Sequence, residues 1–146
     1  MNRRTLLTLS TLTLTALWAN APRATERIHT VGMWTEGAHK FYDPAFIRAQ
    51  VGDAVRFINI SGHHNTESIR GMLPDGVSPW NSALDTTFDL TLTHEGVYGY
   101  KCTPHYEKAM VGLIVVGDAS VNADSARAVV HPEAAQAAFD ALFSRV

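Results

Sequence analysis

Cys102, His105 and Met110 fall within the nine-residue run Cys102-Thr103-Pro104-His105-Tyr106-Glu107-Lys108-Ala109-Met110. A thiolate, an imidazole and a thioether on one short segment form most of a metal-binding set. A soft thiolate with imidazoles and a distant thioether selects copper, with a trigonal primary shell and one weak axial bond. One imidazole is missing and has to come from another part of the chain. A lone Cys is more often a small core residue than a ligand. The neighbours reverse that reading: Pro104 restricts the loop and removes an amide donor, so less conformational freedom is frozen when the ligands converge.

The missing ligand is best sought in His63-His64-Asn65-Thr66-Glu67-Ser68-Ile69, a polar stretch directly after a β-rich run. Side chains carried by such loops on a rigid scaffold often form sites. Adjacent residues in extended backbone point to opposite sides, so only one of His63 and His64 is expected to reach the metal. His29, His39, His94 and His131 have no partners at ligand spacing and read as surface or turn histidines. Met33 and Met72 read as packing residues or as part of an apolar surface. No His-x-His or His-Cys-His is present, so the further copper centres of multicopper oxidases are not encoded. Zinc accepts Cys and His, but a structural zinc normally takes a fourth strong ligand, and Met is a poor one.

The elements that must position these residues are mostly strands. Ile28 to Met33 reads as a short strand, followed by a break over Trp34-Thr35-Glu36-Gly37-Ala38. Phe41 to Val51 is extended, with Asp43-Pro44 opposing helix and Ala45, Ile47, Ala49 and Val51 on one side at period 2. Gly52-Asp53 is a turn, and Ala54 to Ile60 is the next strand; the two are expected to pair as a hairpin. Arg70 to Ala83 reads as turns and loop, with room for one short helical turn. Thr87 to Thr93 alternates cleanly, with Phe88, Leu90 and Leu92 on one face. In Val97 to Cys102 the same period puts Tyr98, Tyr100 and Cys102 on one buried face. Met110 to Val116 returns as a continuous apolar strand, so two adjacent strands hold both ends of the loop. The Ala-rich tail reads as two helices, Asn122 to Val130 and Glu133 to Val146. Pro132 sits in the first-turn position of the second helix, and Glu133 complements its dipole. Many short strands without strand–helix alternation predict an all-β sandwich or barrel with a helical addition at residues 120–146.

The N-terminus reads as an export signal. Asn2-Arg3-Arg4 is the charged start, Leu6 to Leu17 the apolar stretch, and Ala19-Asn20-Ala21 the cleavage site, with Ala24 as an alternative end. Arg3-Arg4 also has the form of a twin-arginine signal. The chain has 146 residues, and residues 22–146 suit one domain. The apolar stretch is too short for a membrane anchor, and a soluble monomer exported to the periplasm is expected. The formal net charge is −2, and no basic footprint suggests nucleic acid as a partner. A single free thiol in an exported protein is open to oxidation unless it is used, and metal ligation is one such use.

The run Gly96-x-Tyr98-x-Tyr100-Lys101-Cys102-Thr103-Pro104-His105-Tyr106-x-x-x-Met110-Val111-Gly112-Leu113-Ile114, with the earlier His64-Asn65-x-Glu67-Ser68-Ile69, resembles the cupredoxins. The resemblance extends from about Met33 to the C-terminal helices. It implies a Greek-key β-sandwich of eight strands plus two helices, with one copper held by His64, Cys102, His105 and Met110. The ligand histidine of that family directly precedes Asn, which selects His64 and leaves His63 at the surface. Asn65 is then expected to tie the His64 segment to the Cys102 loop. The implied function is single-electron transfer by Cu(I)/Cu(II) cycling, with His105 as the electron port in an apolar rim of Pro104, Tyr106 and Ala109. The implied partners are redox proteins, among them copper nitrite reductase and c-type cytochromes. Glu107 and Lys108 inside the loop, and only three lysines in all (Lys40, Lys101 and Lys108), depart from the lysine-ringed pattern of the relatives. Two rivals remain. A copper enzyme would need an open coordination position, and a copper-handling protein without a dedicated redox partner would commonly offer exchangeable Met or Cys clusters, which this chain lacks.

Overall fold

The computed structural model describes residues 26–146; the export signal expected over residues 1–21 lies outside the described residues. Among the described residues eight strands form two four-stranded sheets. One holds β1 (Ile28–Glu36), β2 (His39–Asp43), β4 (Ala54–Asn59) and β6 (Phe88–Thr91), in the order β2-β1-β4-β6. The other holds β3 (Phe46–Ala49), β5 (Glu67–Ser68), β7 (Gly96–Lys101) and β8 (Val111–Val116), in the order β3-β8-β7-β5. Two short helices follow, α1 (Ala123–Arg127) and α2 (Glu133–Phe143). The all-β sandwich with a helical addition is therefore present.

The strand period explains how three layers share the sheet of β8. Ile114 and Val116 enter the core between the sheets, with Phe57, Tyr98, Tyr100 and Cys102. Val111, Leu113 and Val115 face the other way and pack under Ala135, Phe139 and Phe143 of α2. Each face of β8 is thus covered, which is why its sequence is continuously apolar instead of alternating. β7 follows the same rule: Val97 lies in the helix-side cluster, while Tyr98 and Tyr100 lie between the sheets.

The expected hairpin does not form. Pro44 ends β2, and the extended stretch divides into β2 and β3, which belong to different sheets. β3 pairs in parallel with β8, and β4 pairs in parallel with β1. The turn at Gly52-Asp53 is real, but it carries the chain from one sheet to the other. Asp53 ties the crossing together: its carboxylate accepts the N–H of Arg27 at 3.1 Å, the N–H of Gln50 at 3.0 Å and meets His29 Nε2 at 2.9 Å. Burial raises the Asp53 pKa, but the hydrogen bonds from His29, Gln50 and Arg27 outweigh it and hold the carboxyl below its usual range. A depressed folded-state pKa contributes stability above the unfolded value, lost as the pH falls through the folded one. Asp53→Asn is therefore expected to cost about 1–2 kcal/mol at neutral pH. It should also flatten the loss of stability below about pH 4, as read by thermal unfolding across the acid range.

The break expected over Trp34 to Ala38 is confined to Gly37-Ala38. β1 continues through Trp34 to Glu36 and turns at Gly37 into β2, with Glu36 opposite His39. The helices are shorter than expected, and Pro132 precedes the first turn of α2 instead of lying in it. Residues 70–83 form turns and loop without a helical turn, and Met72 near their start is fully buried.

One close approach fixes a glycine. Gly112 lies directly opposite Tyr100 across β7 and β8, and a side chain there would land on the Tyr100 ring. Tyr100 is boxed in by Tyr42 and Phe57 at centroid distances of 4.8 and 5.1 Å, so it has no room to retreat. Gly112→Ala is expected to destabilise the fold by about 1–3 kcal/mol through overpacking, measured by urea unfolding.

Candidate metal centre

The loop between β7 and β8 is closed at its neck by a hydrogen bond from Cys102 N–H to the Met110 carbonyl at 3.0 Å. Inside it, Thr103–Lys108 winds as a 3₁₀ segment with Pro104 near its start, and His105 departs from helical geometry at φ −124°, ψ 17°. Ala109, at φ 64°, turns the chain back into β8. Cys102 and Met110 are both fully buried and belong to the core between the sheets, whereas His105 is only half-buried.

His64 comes from the other side, after β4. Its Nδ1 lies 3.7 Å from Cys102 Sγ and 3.1 Å from His105 Nδ1, and His105 Nδ1 lies 3.5 Å from Cys102 Sγ. The donor atoms of the three residues all fall within 4.8 Å of one another. Imidazole and thiolate bonds of about 2.0 and 2.3 Å, arranged in a plane about one ion, separate the donors by about 3.5 Å (N to N) and 3.7 Å (N to S). The observed triangle is of that size, so the residues fit a single metal ion.

Protonation fits as well. Burial chiefly, and then the neighbouring His105, lowers the pKa of His64; burial, followed by Lys108, Lys40 and His63, lowers that of His105. Both imidazoles are thus neutral at pH 7 and able to act as ligands. His64 Nε2 lies 2.9 Å from Thr35 Oγ1; the tautomer that donates Nε2–H there leaves the lone pair on Nδ1, facing Cys102. Gly62 makes this possible, because at its φ of +81° a Cβ would come 2.5 Å from Thr35 Oγ1. Burial pushes the Cys102 thiol up, against the backbone N–H groups of Asn65 and His105, which pull it down. A cation in the triangle supplies the charge that a buried thiolate needs.

Asn65 joins the two segments. Its Oδ1 accepts the Thr103 N–H at 2.7 Å, and its Nδ2 donates to Thr103 Oγ1 at 2.9 Å and to Asn81 Oδ1 at 3.0 Å. Thr103 in turn donates its hydroxyl to Glu67 at 2.6 Å. Asp85 braces His64 from behind, donating its N–H to the His64 carbonyl at 2.8 Å and accepting the His64 N–H at 3.3 Å.

His63 is a surface residue, with its side chain 85% exposed and its Nδ1 2.7 Å from Asp85. His131 differs from expectation: it is buried, with its ring 4.3 Å from that of Phe139 and its Nδ1 2.6 Å from the Tyr106 hydroxyl. Thr35, Asp85 and His131 carry no local sequence signal, since each acquires its role from a partner at least 21 residues away in the chain.

The profile of the copper-binding plastocyanin/azurin family matches residues 30–117. The chain belongs to this family. It is 41% identical to a pseudoazurin of Paracoccus pantotrophus over 133 residues, 91% of each chain. The crystal structure of pseudoazurin from Methylobacterium extorquens AM1 superposes with a TM-score of 0.77 at 37% identity, covering 81% of this chain and 98% of that one. Native pseudoazurin from Hyphomicrobium denitrificans superposes with a TM-score of 0.76 at 30% identity, covering 82% and 98%. The cofactor of the family is copper, and its members carry electrons and are not enzymes. This chain is a type 1 copper electron-transfer protein, and among the described residues no helix is long and apolar enough to cross a membrane.

Proposed function

We propose that His64, Cys102, His105 and Met110 hold one copper ion, and that residues 22–146 form a soluble single-domain carrier moving single electrons between redox partners in the periplasm. The observation that carries the ligand assignment is the triangle of donor atoms within 4.8 Å. Bound copper would supply the Cu(I)/Cu(II) couple. Cys102 would hold the ion through its thiolate and His64 and His105 through their imidazoles, while Met110, buried in the core, would add a weaker thioether contact that tunes the potential. Because the ligands hang from β7, β8 and the Asn65-braced segment, they need to move little on redox change. The test is the visible spectrum on titration with Cu(II): one ion per chain with intense blue or green colour supports the assignment, and colourless protein with one bound Cu(II) sinks it.

The half-buried His105 ring is the proposed electron port, with Pro104, Tyr106 and Ala109 around it. Transfer partners must separate after each event, which suits a small, weak interface. Copper nitrite reductase and c-type cytochromes are the partner classes we favour. Charge near the port is mixed: Lys40 and Lys108 lie close enough to bias His105, Glu107 adjoins Lys108, and Lys101 is paired with Glu67 at 3.7 Å. Long-range steering is correspondingly weak. The association rate constant with a copper nitrite reductase is expected to change by less than about threefold between low and physiological salt. A steep fall with added salt, in stopped-flow measurements, would refute this docking picture.

A further inference from the structure

We propose that His131 is a positioning residue for the metal loop: held against α2, it fixes the Tyr106 side chain and thereby the backbone at His105. The proposal rests on the reading of His105 as a ligand. The two flanks of His105 are pinned by different devices. On one side Thr103 is held by Asn65 and Glu67. On the other, the Tyr106 hydroxyl bonds His131 Nδ1 at 2.6 Å, and the Tyr106 ring carries the Lys101 ammonium at 4.7 Å. Between these pins lies the residue whose backbone departs from helical geometry. No residue of the 3₁₀ segment Thr103–Lys108 is fully buried; Tyr106 is half-buried and packs against the cluster beneath α2, so it is the residue through which His131 can hold the segment.

His131 is built as an anchor. It is 8% exposed, its ring lies against Phe139, and its own N–H reaches Gln136 Oε1 at 3.3 Å, so both its backbone and its imidazole are tied to α2. Its Nδ1 faces the Tyr106 hydroxyl and can accept the O–H in the neutral ring, the state that burial favours. Phe139 is itself fully buried under the sheet of β8. A rigid path thus runs from the sheet through Phe139 and His131 to Tyr106. The C-terminal helix is then a buttress of the loop as well as a cover for the sheet.

The test uses the full chain with His131→Leu, Tyr106→Phe, the double substitution, and His131→Gln, which retains an acceptor. In metal-free protein, amide hydrogen exchange at His105, Ala109 and Met110, whose N–H groups are bonded within the loop, is expected to quicken by about tenfold in either single variant, while α2 amides keep their protection. In copper-loaded protein, affinity measured by chelator competition should fall by about tenfold, at the lower end of what such supporting partners contribute. The visible band should shift as well. The double variant should lose no more than either single one, and His131→Gln should recover part of the loss. Equal loosening of loop and helix, additive losses in the double variant, or an unchanged loop and spectrum with lowered thermal stability would each overturn the proposal. The exchange measurement reads the tether without metal, so it supports or sinks this proposal even where the copper assignment itself fails.

Discussion

Cys102→Ser is expected to abolish the intense visible absorption of the Cu(II)-loaded protein and its electron exchange with redox partners. The colour expected of the native protein comes from charge transfer out of the thiolate, and a serine hydroxyl supplies no such donor. Nor would the hydroxyl ionise in this setting: the native thiol is already pushed up by burial, and an alcohol is a far weaker acid. The fold should survive. Cys102 contributes its backbone N–H to the neck of the loop, a bond that the substitution leaves in place, and burying one polar atom with the neighbouring imidazoles as partners costs about 1–2 kcal/mol. Absorption spectroscopy and stopped-flow reduction read the two losses separately. His63→Ala is the control: its side chain is exposed and paired only with Asp85, so colour and redox function should be retained. A coloured Ser variant would remove Cys102 from the site.

Asn65→Ala is expected to produce the largest combined loss of stability and metal affinity among residues that do not ligate. The substitution strips the Thr103 N–H of its acceptor and removes the donor to Thr103 Oγ1, Asn81 and the Ser82 carbonyl. Leaving these mostly part-buried groups without partners costs about 1–3 kcal/mol. Since Asn65 joins the His64 segment to the Cys102 loop, copper affinity should fall by about 10–100-fold as well. Urea unfolding of the metal-free protein gives the first number and chelator competition the second. A variant within about 0.5 kcal/mol of the parent, with unchanged affinity, would show that the two segments are held in register by something else.

Much of this was legible because the relevant signals are local. The alternation in Phe88–Thr91, the shared face of Tyr98, Tyr100 and Cys102, and the unbroken apolar run of Val111–Val116 each follow from a strand's period and from which faces are covered. The grouping of Cys102, His105 and Met110 on one loop was legible for the same reason, whereas the choice of His64 over His63 and the bridging role of Asn65 came from the family resemblance. What was not legible depends on distant partners. Nothing near residue 46 says that β3 pairs with β8, so an adjacent hairpin was the natural expectation. Trp34 to Glu36 reads as a break because the strand that pairs with it, β2, starts only at His39. His131 resembles any turn histidine until Tyr106 and Phe139 close over it.

The parallel pairing of Phe46 with Leu113 also dictates an order of events in folding. Among the described residues β3 has β8 as its sole strand neighbour, so a segment made early in the chain must wait for β8 before it can join that sheet. Pairings this far apart in sequence fold slowly, because the closure entropy is lost before any contact compensates it. The strand that completes the ligand loop is the same one that seats β3. Seating of β3 and closure of the loop that carries Cys102, His105 and Met110 both depend on β8, so a chain truncated before Val111 is expected to lack both.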